Sequence, residues 1–241
     1  MARNRYNKQD VEETTDWPNK FESFFGSLPN RGELSDIYKL LADRMDRNGL
    51  HGEHLCMQLL VSSHLLGMGC EEISVEHRFD KESNPLGLVI DVYGKSGSKS
   101  VGVEVETRDK SDFDIKVAAR TIAKITRYSP MVTYFSLAVQ PIYKPPVPAF
   151  FLNHSRESKE LEIAKKITDT RYTSPRFMPG DFYDAKLSSL IIVDLNGGDV
   201  FNIRSGSKHI SKRLNVITPD NYAELCYPDT SGKEAALGLS Y

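Results

Sequence analysis

Between residues 52 and 66 apolar side chains fall on nearly every side of a helical wheel: Leu55, Cys56, Met57, Leu59, Leu60, Val61, Leu65 and Leu66. A helix so patterned is surrounded by protein. The segment before it, about 35–45, places Ile37, Leu40, Leu41 and Met45 on one stripe, with Ser35 as N-cap and Asn48-Gly49 as stop. After a Gly67-Met68-Gly69 stop come three β-type runs at 73–79, 86–93 and 101–107. A helix over 113–128 follows, in which Val117, Thr121, Ile125 and Tyr128 make a packing face and Lys116, Arg120, Lys124 and Arg127 a basic one. Residues 131–139 form another strand, closed by a proline-rich stretch. The remainder predicts a helix over about 155–170, whose alternating charges read as solvated, and a hairpin-like pair at 190–195 and 200–204 around Asn196-Gly197-Gly198-Asp199.

This order predicts an α/β layer that begins with a three-strand antiparallel meander. Residues 1–33 read as an arm, partly ordered around Trp17, Phe21, Phe24 and Phe25. One domain spans 34–218, with a core at 51–140 and an α+β extension at 141–218, and 219–241 is a tail. The chain of 241 residues has 39% hydrophobic and 27% charged positions, the profile of an ordinary globular protein able to fold without disulfides or structural metal. No long apolar run or signal-type leader is present, so membrane spanning and secretion are disfavoured. Cys56, Cys70 and Cys226 are widely spaced, with no zinc-type pairing, and a reducing cytoplasm is the expected home. A formal charge of −2 means that any polyanion must be attracted by a local patch. No dinucleotide, Walker, serine-elbow or zinc-protease motif occurs, which removes support for a nucleotide cofactor.

The chemistry-bearing stretch is 86–107. Strand alternation places Asp91 with Val89 and Tyr93, opposite Leu88, Ile90 and Val92. Glu104 and Glu106 share a face with Gly102, opposite Val101, Val103 and Val105. A two-residue turn at Gly97-Ser98 pairs Ser96 with Lys99, and the same register sets Asp91 across from Glu104. Two like charges that close repel one another, and a divalent cation between them would satisfy both, with Glu106 within reach of the ion or of an attacking water. The competing reading puts the three acids on the wet face of a half-exposed hairpin.

With its surroundings, this stretch resembles the PD-(D/E)XK nuclease superfamily, the restriction-endonuclease-like fold that includes Holliday-junction resolvases. The resemblance covers about 52–139. It rests on Glu53 early in the first core helix, Asp91 in Ile90-Asp91 late in the second strand, and Glu104 and Glu106 in Val-Glu-Val-Glu-Thr in the third, followed by helix and strand. It implies a restriction-endonuclease-like core and hydrolysis of DNA phosphodiesters with Mg²⁺ or Mn²⁺. Asp91 and Glu104 are the implied metal ligands, and Glu53 supports them or a second ion. The family's lysine position holds Glu106, which then serves as base or ligand, and the positive charge comes from the next helix, through Lys124 or Lys116.

Two basic stretches suit phosphate contacts. Residues 108–128 hold Arg108, Lys110, Lys116, Arg120, Lys124 and Arg127 against three aspartates, leaving +3. Residues 204–218 hold Arg204, Lys208, Lys212 and Arg213 with no acid. From these, Arg108, Arg120, Arg127, Lys208, Lys212 and Arg213 are the expected DNA contacts. His51 and His54 flank Glu53, where local hydrogen bonding competes with a part in metal or phosphate binding. The expectation is a metal-dependent DNA endonuclease, with branched or junction DNA among its possible substrates, acting as a homodimer. Its rival is a nucleic-acid-binding or assembly module that keeps the fold without the chemistry.

Overall fold

The computed structural model describes residues 16–48, 52–80, 87–107, 114–152, 158–169 and 177–222. A mixed six-stranded sheet, in the order β1-β2-β3-β4-β6-β7, lies between helices. Helices α1 (Trp17–Ser27), α2 (Ser35–Asn48) and α3 (Gly52–Gly67) belong to one side. Helices α4 (Ile115–Tyr128) and α5 (Ser158–Thr168) belong to the other. The meander β1 (Glu72–Arg78), β2 (Val89–Ser96) and β3 (Lys99–Glu106) is antiparallel. β4 (Tyr134–Val139) returns parallel to β3 after α4, as a strand–helix–strand crossover requires. β6 (Ser189–Asp194) continues the sheet parallel to β4, and β7 (Asp199–Arg204) closes it as an antiparallel edge. A short parallel pair, β5 (Pro146–Pro148) with β8 (Asn215–Ile217), stands apart.

Each sheet face carries its own core. Val92, Val103 and Val105 pack toward α3, whose pattern is satisfied by burial on almost every side. Ile90, Phe135, Leu137 and Val139 pack with the inner face of α4. The ordered part of the arm is a helix, α1, capped by Asp16 and holding Phe21 and Phe24 buried beside α3. Two sequence expectations change here. Helix α5 is not simply solvated, since Leu161, Ile163, Ala164 and Ile167 enter the core. Leu40, expected on the apolar stripe of α2, is 43% exposed, while Leu41 and Met45 are buried. No helix among the described residues is long and apolar enough to cross a membrane.

The hairpin register is the one the turn dictates: Ser96 pairs with Lys99 and Val92 with Val103, with Gly97 at φ +56°. The face assignment fails at one place. Ile90 belongs to the α4-side core whereas Val92, two residues on, belongs to the α3-side core. The neighbouring strand has Glu76 at φ +50°, a left-handed conformation uncommon for a side-chain-bearing residue, and here the strand exchanges its two faces. On β1, Ser74 and His77, three apart, are thereby brought within hydrogen-bond distance of each other, at 3.0 Å. Gly102 leaves room for the displaced Ile90, because a Cβ there would lie 2.4 Å from Ile90 Cδ1 and 3.0 Å from Val132.

Candidate functional site

At the carboxyl end of β3 the β2–β3 ladder stops at Val92–Val103, and Asp91 takes up the next position with its side chain. Its Oδ2 accepts the Val105 N–H at 2.7 Å, so a carboxylate replaces a strand carbonyl in the gap. The Asp91 N–H faces Glu104 Oε1 at 3.4 Å. Asp91 and Glu104 are neighbours as the register predicts, but they meet through backbone groups rather than standing flatly opposed.

Glu104 and Glu106 lie on the α4 face, beside the buried Leu137 and Val139 of β4. Both are buried, which rules out the wet-face reading for these two acids. Lys124 descends from α4 between them, with Nζ 3.0 Å from Glu104 Oε2 and 2.8 Å from Glu106 Oε1. Helical spacing explains the choice, since Lys124 follows Thr121, on the buried side, by one turn and flanks the packing face. Burial alone would lower the Lys124 pKa, but Glu104 and Glu106 outweigh it and hold the ammonium well above its ordinary value. Burial pushes Glu104 up to about 8 against the opposing pull of Lys124, with Asp91 adding to the rise.

On the α3 side, His54 Nε2 lies 3.3 Å from Asp91 Oδ1. Burial works against its charge, but hydrogen bonding to Asp91 prevails and the His54 pKa is raised. Glu76, at the face exchange, pairs with Arg44 at 3.1 Å and accepts from Gln58 Nε2 at 3.0 Å. His54, Glu76 and Asp91 offer ligand atoms that all lie within 4.8 Å of one another. Gln58, fully buried, also directs Nε2 to the Asp91 carbonyl at 3.4 Å, and among the described residues its Oε1 has no hydrogen-bond partner. An orphaned amide oxygen beside these carboxylates suits a hard cation or water. Glu76, Asp91 and Glu106 face the fixed cations Arg44 and Lys124, so the cluster keeps a net negative charge even with Glu104 protonated, as long as His54 is neutral. Its oxygen and imidazole donors fit a divalent ion in ligand chemistry.

The other expected residues are dispersed. Glu53, in the first turn of α3, is joined to Gln140 just beyond β4 and makes no part of the three-residue ligand group. Lys116 is exposed at the start of α4, about 12 Å along the axis from Lys124 by helix rise. Its backbone N–H is capped by Asp114. Of the expected DNA contacts, Arg120, Lys208 and Lys212 are exposed, and Arg127 lies over the Phe177 ring at 5.1 Å. Arg213 donates to the Pro141 carbonyl at 3.3 Å. Arg108, His51 and Cys226 lie outside the described residues, and Cys56 and Cys70 are free and buried. Glu76, Gln58 and Gln140 escaped the sequence reading. Gln140, a polar residue directly after a buried strand, carried the one usable signal. No protein family matches the chain, and neither a curated protein nor a solved structure matches it.

Proposed function

We propose that the protein is an Mg²⁺- or Mn²⁺-dependent DNA endonuclease with a restriction-endonuclease-like core. The observation that carries this reading is the lysine of α4 seated between Glu104 and Glu106 while Asp91 is fastened to β3 at Val105. A cation on the helix beside the third strand supplies the charge that Glu106 cannot. The order helix, three-strand meander, helix and parallel strand supports the core assignment.

Asp91 and Glu104 are the residues that would hold the ion, with His54, Glu76 and Gln58 on the far side of Asp91. A bound divalent ion would neutralise phosphate charge and make water a better nucleophile at neutral pH. Lys124 presents a fixed positive charge for the negative charge that grows on the phosphate, and Glu106 holds that lysine in place. His54, hydrogen-bonded to Asp91, orients that carboxylate and can take or return a proton at Nε2. The exposed Arg120, Lys208 and Lys212 provide the phosphate contacts, and a homodimer would cut both strands. Duplex, single-stranded and four-way-junction DNA are assayed for nicking with Mg²⁺ and Mn²⁺. Cutting is expected to vanish in Asp91→Ala and in Glu104→Ala, and retention in both excludes this site.

One observation favours a second reading, a nucleic-acid-binding or assembly module without catalysis. Lys124 already occupies an oxygen of Glu104 and one of Glu106. Mn²⁺ titration separates the two readings: saturable binding lost in Asp91→Ala belongs to the nuclease, and no saturable binding to the module.

A further inference from the structure

Helix α3 stops at Gly67, at the end of the sheet where β3, β4 and β6 begin. Beyond it the sheet floor of Val101, Ser136 and Ile191 opens into a cavity of about 770 Å³. Five residue steps along β3 lead from Val101 to Glu106, about 17 Å of strand, so this cavity lies at the opposite end of the sheet from the carboxylates.

Its lining is chemically one-sided. Lys99 comes from the start of β3, Lys186 from the segment before β6, and Arg204 from the end of β7, joined by Asn202 and five serines and by no aspartate or glutamate. Among the described residues none of the three cations meets a carboxylate at ion-pair distance. In a chain of formal charge −2, three unpaired cations on one concavity make a local anion-attracting field. The end of α3 would oppose an anion, but its last carbonyls are taken by the N–H groups of Met68, Gly69 and Cys70. The rest of the lining is apolar. Met68 is 54% exposed and Tyr134 is 43% exposed, while Leu65 lies buried beneath. A bare inorganic anion would leave that surface wet.

We propose that this cavity binds an organic phosphate of nucleotide size. Lys99, Lys186 and Arg204 take the phosphate oxygens, the serine hydroxyls and Asn202 take the polar middle of the ligand, and the apolar or planar body rests on Leu65, Val101 and the Tyr134 ring. The volume falls within the roughly 300–1,000 Å³ of small-ligand sites, and an apolar floor with a few placed polar groups is their usual composition. A site at this end of the sheet does not rest on the nuclease reading.

The test uses the full chain with chelator present, so that the carboxylate site contributes no metal. A fluorescent adenine nucleotide is titrated, then displaced by ATP, by inorganic pyrophosphate and by a short single-stranded oligodeoxynucleotide. Saturable binding is expected, displaced by ATP at least about tenfold better than by pyrophosphate, because the apolar body adds contact area that the bare anion lacks. Lys186→Glu and Arg204→Glu, both at exposed positions, are expected to weaken binding by at least about tenfold each through lost charge-assisted hydrogen bonds. Far-UV circular dichroism verifies that both variants fold, and Asp91→Ala is expected to bind as the parent does. Absence of saturable binding in the parent overturns the proposal, as does equal displacement by pyrophosphate. So does an oligonucleotide that competes better than ATP through Lys186 and Arg204, which would mark a strand-binding track.

Discussion

Burial, with Asp91 and Glu106 adding to it, pushes the Glu104 carboxyl pKa from the ordinary 4.5 up to about 8 against the pull of Lys124. Between those values the native state binds more protons than the unfolded state, so stability falls as pH rises. His54, raised for its bond to Asp91, acts in the same sense above 6.5. With chelator present, the melting temperature is expected to fall between about pH 5 and about pH 8.5, and Glu104→Gln to remove most of that slope. A parent whose melting temperature is flat over that interval would contradict the assignment. Lys124→Met leaves the buried Glu104 and Glu106 carboxyl groups without the cation that bridges them. The lysine side chain is 30% exposed, so the loss is expected below that of a fully buried pair, about 1–3 kcal/mol by urea unfolding. Adding Glu106→Gln should restore part of it. On the proposed nuclease reading, DNA cutting should fall about 10²-fold in Lys124→Met and stay low in the double variant, because that reading places the charge at the phosphate.

At the scale of elements, the hairpin and the face exchange make an instructive pair. The β2–β3 register was legible because Gly97 takes the positive φ that a two-residue turn demands, and that turn numbers every cross-strand neighbour up to Val92–Val103. The exchange at Glu76 and Ile90 was not legible, because Val75-Glu76-His77 looks like ordinary alternation and the left-handed residue is not a glycine. Gly102 makes sense only once Ile90 is known to cross to the α4 side. Gly102→Val should therefore cost about 1–3 kcal/mol as overpacking, with part recovered by Ile90→Ala, both read from urea unfolding midpoints. Similar reasoning applies to Lys124. Its place on the basic flank of α4 could be read from spacing, but selecting it over Lys116 needed the distance of each from the end of β3. The alternating charges of α5 concealed Leu161, Ala164 and Ile167, whose burial depends on tertiary neighbours rather than local pattern.

For the molecule as a whole, β6 and β7 extend the same sheet that carries the carboxylates, and Leu190 of β6 shares a buried cluster with Ile90 and Leu137. Leu190→Ala is expected to lower unfolding free energy by about 2–5 kcal/mol while keeping a single transition. Fluorescence of the sole tryptophan, Trp17, which packs on the α3-side core, and far-UV circular dichroism should report coincident midpoints. Two separated midpoints would show that the extension melts on its own. Helix α3 has almost no solvent-facing side, and strands β1, β2 and β3 lie against it. Deuterium from solvent can therefore replace the amide hydrogens of Leu59, Leu60 and Val61 only when the entire chain opens, and their exchange should track global denaturation as denaturant is added. His54 stands in the first turn of that same helix, so the burial of α3 is what sets its backbone beside Asp91.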